Sequence, residues 1–210
     1  MATTPEAPSN TLVILDGSLA SLVAAWRAAA SITPGQHTSP DGASPLILWV
    51  PAADAPRLAD RAPAIATLCN AQLIIDTPVD AYRIPAGGPA RADTTLLLLR
   101  ATLIAMARSA GRIIWPLQTA GIEGLAAATR AFDRTLLIEQ LLLMDSPSGV
   151  PTIDTPLLDF SDDAIADLAA DLGVPFELAA FCRQSPAPAC GSCPSCRRWI
   201  AAAQKVGASV

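Results

Sequence analysis

The chain has 210 residues, 51% hydrophobic and 16% charged, which suffices for one good core and excludes a disordered polypeptide. Its net charge of −5 argues against a duplex nucleic-acid binder that relies on phosphate contacts. The apolar run at 95–107 is too short for a membrane span and holds Arg100, and residues 1–10 lack the basic start and apolar core of a secretory signal, so the default compartment is the cytoplasm.

Residues 12–15 form a short apolar run that reads as a buried strand, and residues 20–30 follow with helical character. A polar loop with Gly and Pro leads to a second strand at 46–50. Asp54 is placed to cap a helix reaching about Asn70, with Pro56 and Pro63 restricting its early turns. A third strand is expected at 73–75, then a loop at 78–89, then a long buried helix at 92–110 that Gly111 stops. A fourth strand at 113–115 and a helix at 124–144 come next. Residues 152–154 form a short strand, and 161–173 a helix with a Ser N-cap, early acids and a terminal Gly. Strands alternating with helices predict one α/β domain over 1–210, an open parallel sheet with helices on both faces.

Four of the five cysteines lie between Phe181 and Arg198. Cys190 and Cys193 make a C-x-x-C knuckle, Cys196 follows three residues later, and Cys182 precedes by eight. Gly191 permits the tight turn such a knuckle needs. Four thiolates close a tetrahedral zinc site with no open position, so the expected zinc is structural and the knuckle spans 181–198. Disulfides, an iron–sulfur cluster and a redox pair are the competing uses of such cysteines. Cys69 stands alone and reads as a buried apolar residue.

The segment CGSCPSCRR (190–198), with the preceding run PTIDTPLLDFSDDAIADLAADLGVP (151–175), resembles the 7-cyano-7-deazaguanine synthase family of queuosine-precursor biosynthesis. The resemblance implies a Rossmann-like fold of the PP-loop ATP pyrophosphatase type, with structural zinc. It implies that the loop after the first strand binds ATP phosphates with magnesium. The implied ligase reaction adenylates 7-carboxy-7-deazaguanine, forms an amide with ammonia, and converts the amide to the nitrile with a second ATP. On this basis Gly17, Ser18, Ser21 and Arg91 are the candidate nucleotide-binding residues, and Cys182, Cys190, Cys193 and Cys196 the metal ligands.

The chain departs from the family where chemistry would occur. The family loop S-G-G-x-D-S reads Asp16, Gly17, Ser18, Leu19, Ala20, Ser21 here. A carboxylate replaces a hydroxyl donor, and the acid that organises magnesium and pyrophosphate is an alanine. The substrate loop aligns with Gly121–Thr129, where only Gly124 fits, and a family lysine after the Thr-Pro-Leu turn has no counterpart. His37 reads as a solvated loop residue. No catalytic residue is assigned. Such losses are those of a pseudoenzyme, and a divergent enzyme is the competing reading. A non-catalytic relative would bind a nucleotide, a deazapurine or a protein partner. A zinc-ribbon nucleic-acid module is the third reading, since Arg183, Arg197 and Arg198 crowd the knuckle. The expected partners are a purine-like small molecule and further copies of the chain, without membrane or duplex nucleic acid.

Overall fold

The computed structural model describes residues 10–32, 44–76, 90–119, 124–146, 149–180, 182 and 189–208, with only the backbone of 90–93. Five strands, β1 (Asn10–Ile14), β2 (Leu46–Val50), β3 (Gln72–Ile75), β4 (Ala110–Ile114) and β5 (Thr152–Asp154), form one sheet in the order β3-β2-β1-β4-β5. Every pairing is parallel. Because β4 returns to the far side of β1, the order reverses there, and the carboxyl ends of β1 and β4 mark the position at which open parallel sheets bind their ligands.

β2 is buried at every position, as a parallel strand covered on both faces must be. Val13, Leu15, Leu48 and Val50 face one core, which α1 (Leu19–Ser31), α3 (Ala62–Leu68), α6 (Asp162–Asp171) and α7 (Pro194–Lys205) close. Leu12, Ile14, Ile47, Trp49 and Ile113 face the other, beneath α4 (Ala90–Ala107) and α5 (Gly124–Asp145). The expected strands at 46–50 and 152–154 hold, and the others extend up to three residues earlier than their apolar runs. Edge residues such as Asn10 pair without being deeply buried.

Three expectations need correction. The single helix expected from Asp54 to Asn70 is two, α2 (Ala55–Leu58) and α3. Pro63 sits in the first turn of α3, where its ring and missing N–H bar a helix from running through. Asp54 flanks α2 but makes no capping hydrogen bond; its carboxylate pairs with Arg57. Gly111 does not stop α4: the helix ends at Ala107, Ser109 takes the positive φ of 53°, and Gly111 is inside β4.

Candidate functional site

The four-cysteine cluster, which could hold a metal, is built around the start of α7. Cys193 is its N-cap: its Sγ accepts from the N–H of Cys196 at 3.4 Å, while Pro194 occupies the first helical turn. The N–H of Cys193 donates to Cys190 Sγ at 3.4 Å, and that of Cys190 to Cys182 Sγ at 3.5 Å. Gly191 takes a φ of +69°, which turns the chain between the two knuckle sulfurs. All four sulfurs lie within 4.8 Å of one another, and Cys190 and Cys196 are 3.8 Å apart. Four ligands about 2.3 Å from one tetrahedral ion stand about 3.8 Å apart, so this set fits a single ion. In a four-iron cube each thiolate meets a different iron, which spreads the sulfurs further.

The thiols are unequal. The N–H of Cys193 and the Ser192 hydroxyl lower Cys190 from the ordinary value of 9.0 to about 6. Burial pushes Cys196 up to about 12, so its proton must leave when a metal enters. Cys69 lies in the α1-side core, as expected, and burial raises it to about 12 as well.

The loop between β1 and α1 is closed upon itself. Asp16 Oδ1 accepts from the N–H of Ser18 at 2.9 Å and from its hydroxyl at 2.7 Å. Ser18 caps α1, its Oγ accepting from the N–H of Ser21 at 3.1 Å. The Ser21 hydroxyl is buried and donates to Ser18 O at 2.8 Å. Gly17 has φ +82°, and a Cβ there would stand 3.1 Å from both Ala180 Cβ and Leu58 Cδ2.

Two residues that sequence reasoning missed hold the segment just before the knuckle, and one of them also reaches this loop. Arg57 donates to Ala180 O at 2.7 Å and to Asp16 O at 3.2 Å. Arg61 donates to Ala179 O at 2.5 Å. The available signal was the Asp54–Arg57 spacing, which places the pair on one face of a helical turn. Two basic residues of α7 also have partners: Arg198 pairs with Asp162, and Lys205 with Asp163 at 2.5 Å. These two acids begin α6, so the contacts hold α7 against it.

Gly17, Ser18 and Ser21 therefore come together at one loop, and the four cysteines come together at one cluster. Arg91 lies in the first turn of α4, where its side chain is outside the described residues. His37 and Gly121 also lie outside them, and Gly124 opens α5. No helix among the described residues is long and apolar enough to cross a membrane.

The sequence profile of the family described as "Queuosine biosynthesis protein QueC" matches residues 89–207, more than half of the chain. The 7-cyano-7-deazaguanine synthases of two Halobacterium salinarum strains are each 39% identical over 61 residues, 29% of this chain and 27% of theirs. The chain thus matches little over a quarter of the length of these curated relatives. Among solved structures, the U34-tRNA thiolase NcsA from Methanococcus maripaludis, described with its [4Fe-4S] cluster, aligns with a TM-score of 0.54. That alignment covers 96% of this chain and 66% of the thiolase at 13% identity, a likeness of fold alone. The knuckle, the parallel sheet and the profile match agree, and the chain belongs to the QueC family of queuosine biosynthesis proteins.

Proposed function

We propose that the chain is a zinc-stabilised, non-catalytic relative of 7-cyano-7-deazaguanine synthase that keeps a crevice for a purine-like ligand. The observation that carries this reading is the Asp16 carboxylate on the N–H and hydroxyl of Ser18. A phosphate-binding loop offers backbone and hydroxyl donors to an anion. Here a side-chain anion already holds one of each, and its charge repels the incoming phosphate. Departure of pyrophosphate needs donors and magnesium aimed at the leaving group. Ala20, in place of the family acid, is buried and supplies neither.

The proposed metal is zinc, supported by the 3.8 Å sulfur separation and by a ligand cluster that, among the described residues, is made of sulfur alone. It holds α7 in place, and Cys182 fixes the chain just beyond Ala180.

The test supplies the purified protein with 7-carboxy-7-deazaguanine, ATP–magnesium and ammonium, and follows the nitrile by mass spectrometry. Calorimetry titrates each ligand separately. The expected result is deazapurine binding, weak ATP binding and no nitrile above background. Turnover on the order of 1 per second or faster is that of a working enzyme and overturns the reading.

A further inference from the structure

We propose that Cys190 is an oxidation site through which hydrogen peroxide expels the metal: its sulfur takes the first oxygen, and Cys196 then closes a Cys190–Cys196 disulfide. The inference rests on the reading that the four cysteines hold zinc. Their sulfurs are unequally sheltered. Cys182, Cys193 and Cys196 are buried, at 4%, 6% and 0% exposure, whereas Cys190 is open to solvent. The buried three belong to the α1-side core, which Trp199 and Ala203 of α7 also enter. Cys190 instead lies in the exposed run 189–192.

A thiolate is both a metal ligand and a nucleophile. The metal slows all four sulfurs, and Cys190 is the one that the protein shields least. Its sulfur attacks one peroxide oxygen, the O–O bond breaks, and the departing hydroxide takes a proton to leave as water. Cys190 is then a sulfenic acid. Cys196 Sγ stands 3.8 Å away. It attacks Cys190 Sγ, the S–O bond breaks, and a second hydroxide takes a proton and leaves as water. The two sulfurs give up two electrons, and one peroxide becomes two waters. Cys196 is fixed in α7, so the exposed run supplies the movement that closes the gap.

The ion keeps only Cys182 and Cys193, and a closed tetrahedral site becomes an open one. Its loss reaches the β1–α1 loop, because Cys182 lies two residues beyond Ala180, whose carbonyl Arg57 ties to Asp16 O.

The chain is loaded with stoichiometric zinc, cleared of free metal, and treated with hydrogen peroxide beside a chromophoric chelator. Zinc release should rise about tenfold or more over the untreated chain. Intact mass should show the loss of two hydrogen atoms, and peptide mapping should join Cys190 to Cys196. Dimedone added with the peroxide should label Cys190 ahead of every other cysteine. Dithiothreitol with zinc should restore the loaded chain. Cys190→His keeps four ligands without the exposed thiolate and should slow peroxide-driven release about tenfold or more. A chain that takes up no zinc overturns the metal reading, and this proposal with it. A loaded chain that keeps its zinc under peroxide, a first label elsewhere, a disulfide without Cys190, or a zinc-loaded Cys190→His that releases at the parent rate overturns this proposal alone.

Discussion

The N–H of Ala180 donates to the carbonyl of Gly17 at 2.7 Å, joining the loop after the first strand to the segment that leads to the four-cysteine cluster. The approach is close because residue 17 has no side chain. Gly17→Ala would force a Cβ against Ala180 and Leu58 at a positive φ, at a cost of about 1–3 kcal/mol. Denaturant unfolding should show a lower midpoint with an unchanged slope. A midpoint equal to that of the parent would mean that the contact yields freely.

Arg57 reinforces the same junction. Arg57→Ala removes donors to Ala180 O and Asp16 O, an expected loss of about 1–3 kcal/mol. It should also speed metal transfer to a chelator several-fold, since Cys182 lies two residues beyond Ala180. Arg57→Lys should not restore the parent rate, because one ammonium lacks the fork that reaches both carbonyls. Equal transfer rates for all three proteins would separate the arginine from the metal centre.

Thiol titration distinguishes the cysteines by environment. The chain has five free cysteines among the described residues, four of them clustered. The metal-loaded protein should react slowly at all of them. A chelator should release four thiols, and the buried Cys69 should follow only on unfolding. Rapid labelling of a fifth thiol in the folded protein would show that Cys69 is accessible.

Acid should empty the site. The lowered Cys190 value means that the folded chain favours its thiolate, an advantage complete above about pH 9 and lost as pH falls through about 6. Metal competes with protons for all four sulfurs, so occupancy measured after equilibrium dialysis should decline as the solution is acidified. Ser192→Ala removes one donor to Cys190 Sγ and should move the decline to higher pH. A decline unmoved by that change would assign no part to the hydroxyl.

Asp16→Ser tests the closed loop in the gaining direction. Removing the carboxylate should tighten ATP–magnesium binding about tenfold or more, the scale of one charged group near phosphate. Restoring the family acid as well is a poorer design, because Ala20 is 1% exposed and an aspartate there would be a buried charge. Calorimetry giving equal ATP affinity for the parent and Asp16→Ser would remove the carboxylate from the explanation.

Much of the frame was legible in local pattern. Apolar runs bounded by turn residues located all five strands, and the knuckle spacing located the four sulfurs. α7 was not placed, although Pro194 after a capping Cys193 and the spacing of Cys196, Trp199 and Ala203 mark a helix buried on one side. The break between α2 and α3 needed more weight on Pro63. The positive φ at Ser109 had no local signature that favoured it over Gly111. The closure at Gly17 was illegible for a different reason. It joins residues far apart in sequence, as Arg57 and Ala180 are 123 positions apart, and no periodicity encodes such a pair.

That separation has a consequence for how the chain is made. Synthesis proceeds from the amino end, and loops of this length close late. β1, α1 and β2 emerge early, but the residues that cover the β1–α1 loop and the outer side of α1 emerge only with the knuckle. A nascent chain must therefore hold apolar surface open until Ala180 and the cysteines leave the ribosome. Scarcity of metal at that moment would strand the N-terminal half half-covered, so the yield of folded protein in cells should follow metal supply during translation.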